Sequence, residues 1–148
     1  METSWDYIVY TDGAYSQQHS EGAFAYIMLD GNHNEVKRLS RKIWNETNNR
    51  AELKAIIAAL YHLPEDAKNV CVVSDSQYAL NTLFGTWCRR ANHDLFDIAD
   101  KIMNERGFHI VPSWVKGHSG NVYNEQCDRM CTEVLGYDPS KEYAKYAK

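Results

Sequence analysis

Four acids stand where apolar segments of this chain start or stop: Asp12 in YTDGAY, Glu52 in TNNRAEL, Asp75 in VSDSQYAL and Asp128 in NEQCDRM. Carried into one cleft, such carboxylates repel one another, and a fold retains them when something cationic compensates the charge. Hard divalent ions with oxygen ligands are the usual compensation. The chemistry that follows from such a set is metal-assisted phosphoryl transfer or hydrolysis. Each acid also has a plain structural reading. Asp12 precedes Gly13, a common turn pair. Glu52 is spaced from Asn49 as N3 from an N-cap. Asp75 is placed to cap the helix that follows it. Asp128 lies on the flank of a helix, where a surface acid is ordinary.

Hydrophobic periodicity gives the elements that would have to carry these residues. Asp6 to Thr11 reads as a strand ended by Asp12-Gly13, Gly22 to Leu29 as a second strand, and Glu35 to Ile43 as a third after a turn at Asp30-Gly31-Asn32. The period then changes to helical over Asn49 to Leu63, with Pro64 just beyond. Val70 to Ser74 fits a buried parallel strand. Ser76 to Phe84 and His93 to Arg106 are helical, His109 to Trp114 is a last strand, and Val122 to Leu135 a last long helix before Gly136. A short helix is expected after Asp138-Pro139. Within the first helix Glu52 shares a stripe with Ala55, Ile56, Ala59 and Leu63 and therefore faces the rim of the core. A meander followed by alternating units predicts an α/β fold with one mixed sheet and helices on its faces. If the first and fourth strands are parallel neighbours, Asp12 and Asp75 meet at one sheet edge, with Glu52 and Asp128 arriving from the first and last helices.

The 148 residues suit one compact domain spanning 1–148, with its core at about 6–135 and a tail at 136–148. No apolar run has the length of a membrane span, and METSWDYIVY lacks the features of a signal peptide, so a cytoplasmic protein is expected. Cys127 and Cys131, four apart on a helix, make neither a structural zinc site nor a disulfide framework without partners. The net charge of -4 counts mildly against polynucleotide binding. Its distribution is uneven: Lys37, Arg38, Arg41 and Lys42 cluster in one stretch, and Arg89 and Arg90 are adjacent. These clusters read either as solvated surface or as contacts for a phosphate backbone.

Four blocks, YTDGAY, TNNRAEL, SDSQYAL and SWVKGHSGNVYNEQCD, occur in an order and at spacings that resemble a type 1 ribonuclease H over about residues 6 to 135. The resemblance implies a ribonuclease H-like fold. Its five-stranded sheet is a three-strand antiparallel meander plus two parallel strands around a central first strand. It implies cleavage of the RNA strand of an RNA–DNA hybrid by a monomer. Two Mg²⁺ ions, replaceable by Mn²⁺, would be held by Asp12, Glu52, Asp75 and Asp128. His118, in the Gly-flanked loop KGHSG, matches the family's mobile histidine, which assists proton transfer or product release.

The resemblance also assigns residues to the substrate. Gly13, Asn48, Asn49 and Gln77 fall at positions that read the 2′-hydroxyl, the group that separates RNA from DNA. Thr47 and Asn92 match positions that hold a DNA-strand phosphate, and Trp87 an aromatic that contacts the DNA sugar; core packing is the alternative for Trp87. The chain departs from the family in two places. WCRRANHD replaces the basic, Trp-containing protrusion, so weak and salt-sensitive hybrid binding is expected. SQQHSE replaces a Gly- and Pro-rich turn, which leaves the contact at Gln18 open. Two other readings remain: another nuclease, integrase or resolvase on the same fold, and a non-catalytic or partner-dependent nucleic-acid binding module.

Overall fold

Three strands rich in β-branched and aromatic residues open the chain: β1 (Tyr7–Ser16), β2 (Glu21–Asp30) and β3 (Glu35–Trp44). They are followed by α1 (Asn48–His62), β4 (Asn69–Ser74), α2 (Gln77–Leu83), α3 (His93–Arg106), β5 (His109–Trp114) and α4 (Val122–Leu135). The computed structural model describes residues 5–117, 119–139 and 141. The five strands form one sheet in the order β3-β2-β1-β4-β5. The β1–β2 and β2–β3 pairs are antiparallel, while β1–β4 and β4–β5 are parallel. The expected mixed sheet is therefore the observed one, with β1 at its centre.

Alternation along the strands splits the core into two layers. Val9, Tyr26, Met28, Val70 and Val72 pack beneath α1, α2 and α3, with Leu53, Ile56, Leu60, Leu80 and Phe96. Ala23, Ala25, Ile27 and Leu29 meet Cys127, Cys131 and Leu135 of α4 on the opposite face. Helices thus cover both faces. Small alanines on β2 give α4 room to approach, and its fully buried cysteines sit in that contact.

Most element bounds match the periodic reading within a residue or two. The largest difference is in β1. Asp12-Gly13 does not end the strand; the antiparallel ladder continues through Asp12↔Ala25 and Gly13↔Phe24 to Ser16↔Glu21. The turn comes at 17–20, with Ser20 at φ 51°. Two helix caps also differ. Thr47 caps α1, its side chain accepting from the Arg50 N–H at 3.1 Å, so Asn49 lies inside the helix. Ser76 caps α2, accepting from the Ala79 N–H at 3.0 Å, so Asp75 does not. Each such cap contributes on the order of 1 kcal/mol. No helix among the described residues is long and apolar enough to cross a membrane. The tail helix expected after Pro139 falls largely outside the described residues.

Candidate metal centre and nucleic-acid interface

Register brings the first two acids together. Tyr10 pairs with Val73 in the parallel β1–β4 ladder, so Asp12 reaches the level of Asp75 just past the end of β4. The Thr11 hydroxyl donates to the Val73 carbonyl at 3.1 Å and locks the two strands there. Glu52 arrives from α1, whose first turn lies directly on β1. A Cβ at Gly13 would stand 2.5 Å from the Ala51 carbonyl carbon and 2.6 Å from the Glu52 nitrogen. Only glycine permits that approach. The local reading of Asp12-Gly13 as a turn gives way to this contact.

Asp12, Glu52 and Asp75 each offer one carboxylate oxygen, and these oxygens lie within 4.8 Å of one another. Asp12 is 5 % and Glu52 6 % exposed. Burial first, then the charges of Asp75 and Asp128, pushes the Asp12 carboxyl well above the usual range. Burial first, then Asp12 and Asp75, does the same to Glu52. Oε1 of Glu52 is buried with no hydrogen-bond partner. Among the described residues, no Lys or Arg forms an ion pair with any of the three. With capping and turn roles gone, Asp12 keeps one bond from the Gly13 N–H at 2.9 Å, and no cation among the described residues repays the burial of these charges. A divalent ion with oxygen ligands is the group this donor set fits.

Asp128 stands apart from that trio. It is half-buried on α4 and acts on Asp12 through its charge. The helix is anchored to the same strand, the thiols of Cys127 and Cys131 donating to the Tyr10 and Asp12 carbonyls at 3.4 and 3.9 Å. One turn before Asp128, the buried Nδ2 of Asn124 has no partner.

The remaining residues singled out in the sequence gather mostly around the N-termini of α1 and α2. Asn48 and Asn49 are exposed in the first turn of α1. Because Thr47 makes the cap, their amides are not needed for it. Gln77 is exposed as the first residue of α2. Asn92 precedes α3 with φ 62° and makes no capping bond. Its amide instead accepts from Arg50 at 3.3 Å and donates to the Tyr78 hydroxyl at 2.9 Å. Trp87 is 49 % exposed, which removes the core-packing alternative. His118 lies outside the described residues.

The RNase H family model matches residues 4–135. The chain belongs to the RNase H family. It is 37 % identical over 134 residues to a ribonuclease H of Desulforamulus reducens, covering 82 % of each chain. It is 33 % identical over 147 residues to one of Acetivibrio thermocellus, covering 90 % of this chain and 97 % of that one. Among solved structures, RNase H1 from the halophilic archaeon Halobacterium salinarum superposes with a TM-score of 0.73 at 26 % identity, over 88 % of this chain and 97 % of that one.

Against this RNase H framework, Arg50 and Trp114 stand out as residues the motifs left without a role, and Gly117, noted only as a flank of the KGHSG loop, gains a contact. Arg50 sits in TNNRAEL and binds Glu46 at 2.7 Å and Asp94 through both terminal nitrogens, at 2.9 and 2.8 Å. It thereby ties the Thr47 turn to the start of α3. Trp114 and Gly117 sit in SWVKG and both touch Asp75. Their residue types were the only signal: a fork-shaped donor, an indole N–H and a glycine beside motif acids. The basic pair Arg89 and Arg90 divides, and Arg89 is neither solvated surface nor free for a phosphate. It donates to the Thr82 carbonyl at 2.8 Å, pairs with Asp100 at 2.6 Å and lies 4.5 Å over the Phe96 ring. Arg90 is exposed. Lys37, Arg38, Arg41 and Lys42 lie on the edge strand β3, where Arg38 is held by Glu35 at 2.6 Å and Lys42 by Glu21 at 3.0 Å.

Proposed function

We propose that this chain is a divalent-metal-dependent endoribonuclease that hydrolyses the RNA strand of RNA–DNA hybrids, with the family domain at about residues 6–135. The observation that carries the reading is the uncompensated trio Asp12, Glu52 and Asp75, with an orphaned buried oxygen on Glu52. Membership of the RNase H family supports the substrate class. Asp12, Glu52 and Asp75 would hold the metal, and Asp128 would complete the set from the rim. Mg²⁺ is the ion proposed, with Mn²⁺ able to replace it. When bound, such ions would supply Lewis-acid activation of a water and charge neutralisation at the leaving oxygen.

The chain's own residues do the positioning. Gly13 lets the α1 backbone close on β1 and keeps Glu52 beside Asp12. Asn48, Asn49 and Gln77 present short amides that both donate and accept, as a reader of the 2′-hydroxyl must. Thr47 and Asn92 flank one side of the site, joined through Arg50, and take a phosphate of the DNA strand. Trp87 offers an exposed ring to the adjoining sugar. His118 is assigned the proton transfer or product-release step.

The test is incubation of the purified chain with an end-labelled hybrid, beside double-stranded DNA and double-stranded RNA, with Mg²⁺, Mn²⁺ or EDTA. Metal-dependent cutting of only the hybrid's RNA strand is expected. D12N should remain folded and cut nothing. Wild-type cutting by D12N, or cutting that survives EDTA, would defeat the assignment.

A further inference from the structure

Trp114 and Gly117 bracket the segment that leaves β5, and both close on Asp75. The Trp114 ring is 49 % exposed, yet its indole Nε1–H donates to the Asp75 backbone carbonyl at 3.0 Å. The Val115 N–H donates to the Ser74 carbonyl at 3.0 Å, carrying the parallel ladder one step past the end of β5. The chain then brings Gly117 against the carboxylate. A Cβ at 117 would stand 2.9 Å from Asp75 Oδ2, 3.7 Å from Cγ and 3.8 Å from Cβ. Gly117 is not among the residues with positive φ. Its backbone would accept an L side chain, and one placed there would displace the Asp75 carboxylate from the space it occupies.

Within the site itself Asp75 meets only other acids, Asp12 and Glu52, among the described residues. The cap of α2 is Ser76, and β4 ends one residue earlier at Ser74. Asp75 therefore sits at a strand–helix junction that the Ser76 N–H closes onto the Ser74 hydroxyl at 3.0 Å, with its own carbonyl and carboxylate left to partners from outside. Trp114 holds its carbonyl, and Gly117 walls one side of its carboxylate.

We infer that residues 114–117 form a positioning clamp, with the Trp114 indole fixing the Asp75 main chain and Gly117 leaving its carboxylate the one orientation that faces Asp12 and Glu52. The inference rests on the metal reading of that trio. Groups that orient metal ligands from outside typically change metal affinity 10- to 100-fold when altered. Metal binding and the conformation of the clamp are coupled, and the coupling is reciprocal.

The test is calorimetric titration of Mn²⁺ into the substrate-free chain. W114F keeps an aromatic ring and deletes the donor; the loss of one such hydrogen bond should weaken binding about fivefold. G117A forces the carboxylate aside and should weaken binding at least tenfold. Both variants should regain kcat at high metal with an unchanged KM for hybrid, which a merely structural role would not produce. In ¹⁵N-labelled wild type, the Trp114 indole resonance should shift as Mg²⁺ is added. If wild type binds Mn²⁺ and both variants bind it equally well, the clamp is overturned and the metal reading stands. If wild type binds none, both fall.

Discussion

Gly13 and Glu52 meet backbone to backbone: a Cβ at position 13 would lie 2.6 Å from the Glu52 nitrogen. The contact sets how far the first turn of α1 descends onto β1, and so how close Glu52 stands to Asp12. G13A should push the helix start away from the strand. Overpacking of this kind costs about 1–3 kcal/mol, which a thermal melt will read as a lowered Tm. Because the displaced atoms belong to Glu52, one of the proposed metal ligands, kcat should fall by more than the stability loss alone explains when both are measured well below the melting range. A G13A variant with wild-type kcat and a lowered Tm would show that the contact serves packing only.

The same crowding makes the metal-free protein pH-sensitive. Burial, then neighbouring charge, raises the carboxyls of Asp12 and Glu52. A folded state with raised carboxyl pKa values keeps protons that the unfolded chain gives up above about pH 4. The stability these groups contribute is therefore full below the ordinary carboxyl range and declines as pH rises toward their raised values. In EDTA, wild type should melt at a higher temperature in mildly acidic than in neutral buffer, as far as these groups decide it. D12N removes one of the opposed charges and should melt above wild type at pH 7, the gap closing near pH 4. Millimolar Mg²⁺ should raise the wild-type Tm at pH 7 and leave D12N nearly unchanged. A D12N variant that melts below wild type at pH 7 in EDTA would contradict the electrostatic account.

How far the sequence discloses this molecule depends on the range of the interaction. Periods of two and of 3.6 residues are local, so the sheet, the helices and the Gly107 and Gly136 stops are legible. Asp12-Gly13 is legible only as chemistry, because a turn and a close helix approach both ask for glycine, and the Ala51 backbone that decides between them lies 38 positions away. Thr47, Asn48 and Asn49 are all competent caps; which one serves depends on where α1 meets β1. The four acids can be found from their motifs, yet the tight trio without Asp128 is set by the pitch of α4 on the sheet. Arg50–Asp94 and Trp114–Asp75 join residues far apart in the chain. Neither pair carries a spacing signal.

Arg50 shows what such a hidden pair can do. Its side chain is 22 % exposed and forks onto Asp94 while reaching Asn92. Exposed ion pairs add little stability, so the consequence should be geometric. R50K keeps the charge but loses the planar fork. The amide of Asn92 then loses one of its two anchors, and the proposed DNA-strand phosphate site should loosen. A severalfold rise in KM for the hybrid is expected, with kcat nearly kept and Tm lowered only slightly. Steady-state kinetics on one hybrid will check this; an unchanged KM would mean that Tyr78 alone suffices to hold Asn92.

Arg89 and Arg90 are neighbours with opposite assignments. Arg89 joins the end of α2 to α3 through the Thr82 carbonyl, Asp100 and the face of Phe96. R89A leaves that carbonyl and that ring without their cover and should lower stability by roughly 2 kcal/mol, given the usual worth of a charge-assisted hydrogen bond and a cation–π contact. Arg90 is exposed, and R90A should change stability by no more than about 0.5 kcal/mol. If Arg90 meets a phosphate, R90A should weaken hybrid binding similarly for every sequence and reduce the slope of log affinity against log salt by about one. Binding measured across a salt series, with melts alongside, separates the two residues. A shallower salt slope in R89A at unchanged Tm would place Arg89 at the nucleic-acid interface instead.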